Sequence, residues 1–436
     1  MRRYVLPLLL LAAIPGRAQK VLSLEEAIAS ALQNNYDILL SRNDSAVAAL
    51  DYSFRNSVFY PRVNGAAGGT WNNNDQRQTL ADGSKREQNN LKSNNYNISL
   101  NVNWTLFDGL KMFVTRDKVT ELIRLGELGI KEQVINTVAS VITTYYNVVR
   151  QKQMLKAIEE QMTLSQERVK LAQYKLDIGV GAKPDVLQSK VDHNAQKALR
   201  LEQLTTIAQL KEQLNQLMNV REAPPYDVSD SIPLNTGLSL GDIQAGIENS
   251  NPTLQITRKN IDIAGLTLKE RKAERWPTVA LNTVYNYSRS KNKAVINPFS
   301  PLFNQSRGYN YGFTAAFPIF NNHTVKRQIR QAELAVNFQR MVLDNQKSQL
   351  NLAVVNAFLE YEQQKKALAL EEENIVLARE NVDIVFQVYK LSSTTLIQLK
   401  EAEKSLQDAY TRLITARYNT KLAETELLRL RGELVK

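Results

Sequence analysis

The chain repeats itself. Leu22-Ser23-Leu24 returns as Leu238-Ser239-Leu240, and a constant shift of 216 residues then pairs Asn35 with Asn251, Arg42 with Arg258 and Pro61 with Pro277. Further along, a shift of 213 pairs Phe107 with Phe320, Val141 with Val354, Glu167 with Glu380 and Leu217 with Leu430. Such a period governs the whole fold, because each copy builds the same supersecondary unit. The length change between copies falls between Val63 and Trp104. The expectation is one pseudo-symmetric object, with a first repeat over 19–220, an inter-repeat linker over 221–237 (an equatorial region) and a second repeat over 238–436.

Ahead of the repeats, residues 1–18 read as a secretory signal. Arg2 and Arg3 supply the charged start, Val5 to Ile14 the apolar core, and Gly16-Arg17-Ala18 the small-residue cleavage site before Gln19. The apolar run is about half of the roughly 20 residues that a spanning helix needs. The sequence has no cysteine, which excludes disulfides, thiolate metal sites and a cysteine-linked lipid.

Loss of Arg2, Arg3 and Arg17 lowers the net charge from +11 to +8. The remaining cations alternate with acids, as in Lys269-Glu270-Arg271-Lys272-Ala273-Glu274-Arg275, the pattern of solvated helix faces and not of a nucleic-acid footprint. No apolar stretch suits a membrane helix, so a membrane role requires β-strands.

Each copy reads in the same order: helix, strand, loop, strand, very long helix, turn, helix. Ser23-Leu24-Glu25-Glu26 is a capping box that opens copy one, and Ser239-Leu240-Gly241-Asp242 opens copy two. The opening helices are expected to run to about Phe59 and Arg275, ahead of Pro61 and Pro277.

The strands carry the sharpest local signal. Tyr96, Ile98, Leu100, Val102, Trp104 and Leu106 alternate with Asn97, Ser99, Asn101, Asn103 and Thr105, and Tyr309 to Ile319 alternates likewise. Fainter partners precede them, near Val63–Trp71 and Leu281–Tyr287, with polar loops expected over 72–95 and 289–308. A soluble sandwich would alternate too. Here, however, the polar faces are rich in asparagine and glycine, and the apolar faces end in aromatics at Tyr60, Trp104, Phe107, Phe317 and Phe320. That is the pattern of a lipid-facing band with an aromatic girdle around a wet interior.

The long helices, Leu110 to Leu176 and His323 to Leu391, are each expected to reach roughly 100 Å at 1.5 Å per residue. They turn back through Gly179-Val180-Gly181-Ala182-Lys183-Pro184 and through Ser392-Ser393-Thr394-Thr395. The returning helices, Asp185–Met218 and Leu396–Arg431, are about half as long. The length arithmetic joins the first to Ser239–Arg275 and the second to Leu24–Phe59, giving a long rod with the strands at one end and the turns at the other. Apolar residues seven apart, Val134, Val141, Val148, Leu155, Met162, Val169 and Leu176, predict left-handed coiling, as do Val354, Tyr361, Leu368, Ile375, Val382 and Tyr389.

Four strands cannot close a barrel, and an open edge in lipid strands backbone groups at several kcal/mol each. Three chains would give 12 strands.

Leu106-Phe107-Asp108-Gly109, the opening helices ending at Pro61 and Pro277, and the turns at Gly179–Asp185 and Ser392–Glu401 resemble the TolC-like outer-membrane efflux channel family over essentially the whole mature chain. The resemblance implies a mainly α fold with a small β part: an α-helical tunnel through the periplasm beneath a trimeric 12-stranded β-barrel in the outer membrane of a Gram-negative bacterium. It implies a homotrimer whose tip meets a periplasmic adaptor and an inner-membrane pump, with no cofactor. Copy two departs from the motif with Ile319-Phe320-Asn321-Asn322, and asparagine tolerates the left-handed backbone that glycine would adopt there.

In the family, carboxylates just after the turns narrow the periplasmic aperture. Asp185 falls at that position in copy one, Gln398 at its counterpart in copy two, and Glu401 matches the second carboxylate. Gln398 also completes a capping box with Thr395, so two readings stay open for it. Gly179, Val180, Gly181, Ser392, Ser393 and Thr394 form the tips expected to receive the adaptor, although their small residues could equally serve only the chain reversal. His193 and His323 lie in different copies with no second histidine or cysteine nearby, and read as surface helix residues. Gly179-Val180-Gly181 runs into Pro184 and follows no strand, so it is no phosphate loop. A passive export duct, serving tripartite efflux or type I secretion, is the leading expectation; the alternative is a periplasmic coiled-coil adaptor or scaffold without a pore.

Overall fold

The computed structural model describes residues 20–221 and 226–434. The expected signal segment, with Pro224 and Pro225 of the linker, lies outside the described residues. The elements in chain order are β1 (Lys20–Leu22), α1 (Leu24–Asn34), α2 (Tyr36–Ser53), β2 (Arg62–Thr79), β3 (Lys85–Phe107), α3 (Lys111–Asp177), α4 (Lys183–Met218), β4 (Tyr226–Val228), α5 (Leu240–Ser250), α6 (Pro252–Ala273), β5 (Thr278–Asn292), β6 (Phe303–Ala316), α7 (Thr324–Lys390) and α8 (Leu396–Arg431). The duplication is reproduced element by element: α3 and α7 each have 67 residues, and α4 and α8 each have 36.

The chain forms two compact units. One holds the chain up to Asn43, Leu128–Gln255 and the chain from Asn345 on; the other holds Asp44–Glu127 and Ile256–Asp344.

The first unit is helical apart from a small sheet. Its two cores are copies of each other. Val141, Val148, Leu214 and Ala27 are fully buried in one, and their partners by the repeat, Val354, Tyr361, Leu427 and Ile243, fill the other. Ser23 and Ser239 cap the opening helices by accepting from the backbone N–H of Glu26 and Asp242. The linker, read from sequence only as a break, is tied down: β4 pairs in parallel with β1, and the Tyr145 hydroxyl donates to the Leu22 carbonyl at 2.8 Å.

Two expectations about the opening helices are corrected. Neither runs unbroken, because each stops and restarts at an asparagine. Asn35 and Asn251 are both buried with extended backbones, and their side-chain oxygens accept from the N–H of Ile38 and Leu254, capping α2 and α6 afresh. The stacking is also different. Asn35 Nδ2 donates to the Leu217 carbonyl and Asn251 Nδ2 to the Leu430 carbonyl, both at 2.9 Å. So α2 takes up where α4 of the same copy ends, and α6 where α8 ends. The cross-copy joins predicted from length, Asp185–Met218 with Ser239–Arg275 and Leu396–Arg431 with Leu24–Phe59, do not form.

The heptad stripe holds through copy two, where Val354, Tyr361, Leu368, Val382 and Tyr389 are buried and Ile375 is half-buried. In copy one it fades below Val148. Beyond Val149 the buried positions of α3 are Gln161, Ser165, Arg168, Ala172 and Lys175, with Met162, Val169 and Leu176 only half-covered. Polar side chains at such seam positions fix register at a cost in stability.

In the second unit β2, β3, β5 and β6 form one antiparallel sheet in that order. The expected loop over 72–95 is instead strand: β2 and β3 continue in register as far as Thr79 opposite Lys85, interrupted by one irregularity at Asn74/Gln76. Only 80–84 turns, with Asp82 Oδ1 accepting from the Ser84 N–H at 2.9 Å. The copy-two loop is shorter than expected, over 293–302. At the other end β6 stops at Ala316, so Phe317 and Ile319 lie beyond the strand that was expected to include them.

Candidate functional site: the amphipathic sheet and the helical turns

The register of the sheet sorts most of its side chains along the middle rungs, with Thr283 on the apolar face and Val284 on the polar one as exceptions. Val102 lies opposite Val63 and Thr283, and Thr283 opposite Tyr311; Leu100 lies opposite Gly65 and Tyr285, and Tyr285 opposite Tyr309; Trp104 lies opposite Leu281, and Leu281 opposite Phe313. These share one face because cross-strand partners do. The other face carries Asn64, Asn101, Val284 and Asn310 in one rung and Ala66, Ser99, Asn286 and Gly308 in the next. Its amides bond to one another: Asn103 Nδ2 donates to Asn282 Oδ1 at 2.5 Å, and Asn282 Nδ2 to the Thr314 hydroxyl at 2.9 Å.

The apolar face is bare in this chain. Tyr309, Tyr311 and Phe313 are each at least 70% exposed, and Ile98 and Leu100 about half. Large apolar side chains left exposed side by side on a folded chain mark a surface meant to be covered. The girdle aromatics sit at its lower margin. Tyr60, Phe317 and Phe320 are exposed, Trp104 is partly exposed and donates its indole N–H to the Phe59 carbonyl at 2.8 Å, and Phe107 is half-buried. Among the described residues, both outer strands, β2 and β6, lack a partner on their far side.

Where β3 gives way to α3, Gly109 adopts φ +72°, and a Cβ there would stand 2.4 Å from the Ala273 carbonyl oxygen. Its repeat partner Asn322 has φ +52°, the left-handed conformation expected from the sequence. The residues that follow, Leu110 and His323, are left-handed as well.

In the helical unit the two turns are built alike. Gly179 is left-handed at φ +78°, and the N–H groups of Val180 and Gly181 return to the Lys175 carbonyl. Ser392 is left-handed at φ +59°, and the Ser393 N–H returns to the Val388 carbonyl. A Cβ on Gly181 would meet the Leu176 nitrogen at 2.8 Å. Backbone geometry alone therefore accounts for both glycines. Thr394 precedes the Thr395 cap and donates its hydroxyl to Gln398 Oε1. The Gln398 side chain also accepts from the Thr395 N–H at 3.2 Å while the Thr395 hydroxyl accepts from the Gln398 N–H, a complete capping box.

Asp185 is half-buried in the first turn of α4. Glu401 is exposed on α8 and makes no hydrogen bond or ion pair among the described residues. Its neighbour Lys400 turns to Asp192, at 3.1 Å. Of the histidines, His323 is exposed, while His193 sits between α3 and α4 with Nδ1 2.9 Å from the Ser165 hydroxyl, more enclosed than expected. Burial holds the His193 imidazole below its ordinary value.

One cluster went unread in the sequence. Arg168 of α3, 3% exposed, bridges Asp192 of α4 at 2.9 Å and Glu403 of α8, itself 5% exposed. Arg168 Nε and Glu403 Oε1 are buried without a hydrogen-bond partner. Burial pushes the Glu403 carboxyl above its ordinary value, and the Arg168 charge only partly offsets this. Nearby, the Lys175 ammonium lies over the Tyr389 ring at 3.9 Å and donates to the Tyr389 carbonyl; burial lowers its pKa. The signal for all of this was the polar seam after Val148, visible only once the heptad partners are known.

A duplicated pair of 67-residue helices, joined to a four-stranded antiparallel sheet with one apolar and one amide-lined face, defines a TolC-like channel-tunnel subunit. The chain belongs to the outer membrane efflux protein family, whose model matches residues 27–220 and 246–433. The outer membrane efflux protein BepC of Brucella suis is 21% identical over 432 residues, spanning 97% of this chain and 88% of the relative. Among solved structures, the outer membrane protein VceC of Vibrio cholerae superposes with a TM-score of 0.74 at 15% identity, covering 94% of this chain and 96% of that one. The CmeC outer membrane channel of Campylobacter jejuni gives 0.75 at 14% identity, covering 95% and 86%. Family and fold together place the chain among outer-membrane efflux channel-tunnels.

Proposed function

We propose that three copies of this chain form the outer-membrane duct of a tripartite efflux or type I secretion system, with a 12-stranded barrel in the membrane and a helical tunnel in the periplasm. The sheet carries the reading. Its bare apolar face suits lipid, its asparagine face suits a water-filled bore, and the unpartnered sides of β2 and β6 would satisfy each other across subunits. No helix among the described residues is long and apolar enough to cross a membrane, which leaves insertion to the strands. No finding favours a pore-less periplasmic adaptor.

The turns would be the docking point for a periplasmic adaptor that links the duct to an inner-membrane transporter. Support comes from apolar side chains left in solvent there: Val180 is 65% exposed, and Leu391 and Ile397 each 77%. In the aperture, Glu401 is the candidate for an acidic ring, since it is exposed and its cationic neighbour Lys400 is engaged elsewhere. Asp185 contributes charge from the first copy, and Gln398 acts chiefly as a cap.

Mass determination in detergent, followed by recording in planar bilayers, tests the proposal. A trimer with discrete, voltage-tolerant conductance is expected. A water-soluble single chain without pore activity would overturn it.

A further inference from the structure

The apolar face of the sheet does not end in neutral residues. From Phe107 to Tyr96 the β3 strand advances about 36 Å, or roughly 25 Å of membrane normal at a tilt near 45°, the height of a lipid-facing band. At the distal margin of that band the rungs turn cationic on the same face. Ile98 lies opposite Tyr287, which lies opposite Arg307; Tyr96 lies opposite Arg289; Asn94 lies opposite Lys291. One rung further, the Lys293 N–H donates to the Lys92 carbonyl at 2.9 Å, which sets those two lysines side by side.

All five cations are exposed, and none makes a salt bridge among the described residues. Arg289 only lies over the Phe303 ring, at 5.4 Å. Like charges directly opposite one another on a sheet destabilise it, so five of one sign on consecutive rungs are an unbalanced expense within the chain. Asp75, the acid that follows on β2, already accepts from the Asn90 N–H. A counter-charge is missing, and it must be one that sits where acyl chains end.

We infer that this outward patch, Arg289, Lys291 and Arg307 with Lys92 and Lys293 behind them, binds the phosphate groups of an anionic glycolipid of the outer leaflet. The inference rests on the reading of the sheet as part of a membrane barrel. The guanidinium groups of Arg289 and Arg307 lie on neighbouring rungs and offer paired N–H donors suited to phosphate. The apolar rungs beneath, Leu100 with Tyr285 and Tyr309, lie where the acyl chains of the same molecule would run. The ligand therefore needs both parts, phosphate above and hydrocarbon below.

Native mass spectrometry of the detergent-purified protein, incubated with diphosphorylated lipid A or with its dephosphorylated counterpart bearing the same chains, tests this. The wild type is expected to retain the phosphorylated form, and Arg289→Gln/Arg307→Gln to lose about thirtyfold in affinity for it, the worth of two cations at a membrane surface. Lys92→Gln/Lys293→Gln is expected to lose less and still to assemble, since it removes a repulsion. Excess inorganic phosphate is expected to leave the lipid in place. Equal retention of both lipids, or full displacement by free phosphate, would overturn the assignment. Planar-bilayer conductance separates the two levels: a wild type that forms no pore defeats the barrel reading, whereas a conducting wild type indifferent to phosphorylation defeats this patch alone.

Discussion

Asn35 gives its side-chain amide to the carbonyl of Leu217, and 216 residues on Asn251 does the same for Leu430. Each asparagine restarts one helix and closes the end of another, so the pair marks the two joints at which the short helices of each copy are stacked. Asn35→Ala removes a buried donor bond and a helix cap together, and a loss of about 1–3 kcal/mol is expected. Asn251→Ala should cost a similar amount, and the double variant close to the sum, because the sites share no partner. Denaturant unfolding of the three variants measures this.

The strand-to-helix junctions are alike in backbone and unlike in tolerance. Gly109→Asn must place a side chain against the Ala273 carbonyl oxygen, where a Cβ alone would stand at 2.4 Å, and is expected to destabilise by more than about 2 kcal/mol. Asn322→Gly keeps the same left-handed backbone and is expected to change stability by under about 0.5 kcal/mol. Thermal denaturation in detergent compares the two.

Glu403 supplies a pH signature. Its carboxyl is raised by burial, so the folded chain holds that proton more tightly than the unfolded chain does. The resulting stability is complete below the ordinary value of 4.5 and is lost as pH rises through the raised value. Glu403→Gln fixes the neutral form. Its melting temperature is expected to match the wild type in acid and to exceed it increasingly towards neutrality. Arg168→Ala strands the acid without its partner and should cost about 3–5 kcal/mol at neutral pH.

Much of this fold could be read before any coordinates. The duplication, the two 67-residue helices and the alternation of Tyr96 to Leu106 all have strong periods, and each survives in place. What failed had no period to read. Residues 72–79 and 85–95 are polar but for Leu91, so their alternation carries no contrast, and only backbone pairing reveals them as strand. Asn35 interrupts a helix whose apolar pattern continues across it; the clue was an asparagine at the same position in both copies. The stacking order could not follow from length, since α4 and α8 both have 36 residues and either opening helix would fit either end. Arg168 and Glu403 stand 235 positions apart, beyond the reach of local spacing.

The aperture assignment separates by substitution. Glu401→Ala is expected to change ion selectivity and single-channel current in planar bilayers without shifting the melting temperature, because the side chain is exposed and makes no hydrogen bond or ion pair among the described residues. Gln398→Ala should do the reverse, loosening the Thr395 cap by about 0.5–2 kcal/mol and leaving selectivity unchanged. Selectivity that is indifferent to Glu401 would remove the acidic ring.

The naked flanks of β2 and β6 also bear on how such a protein is made. If three chains close the barrel as proposed, each subunit carries two adhesive seams and a greasy wall through water until it meets its sisters. Its biogenesis is therefore a race between closing the ring and pairing with the wrong neighbour. Synthesis that outruns insertion is then expected to yield aggregates joined at these mispaired edges.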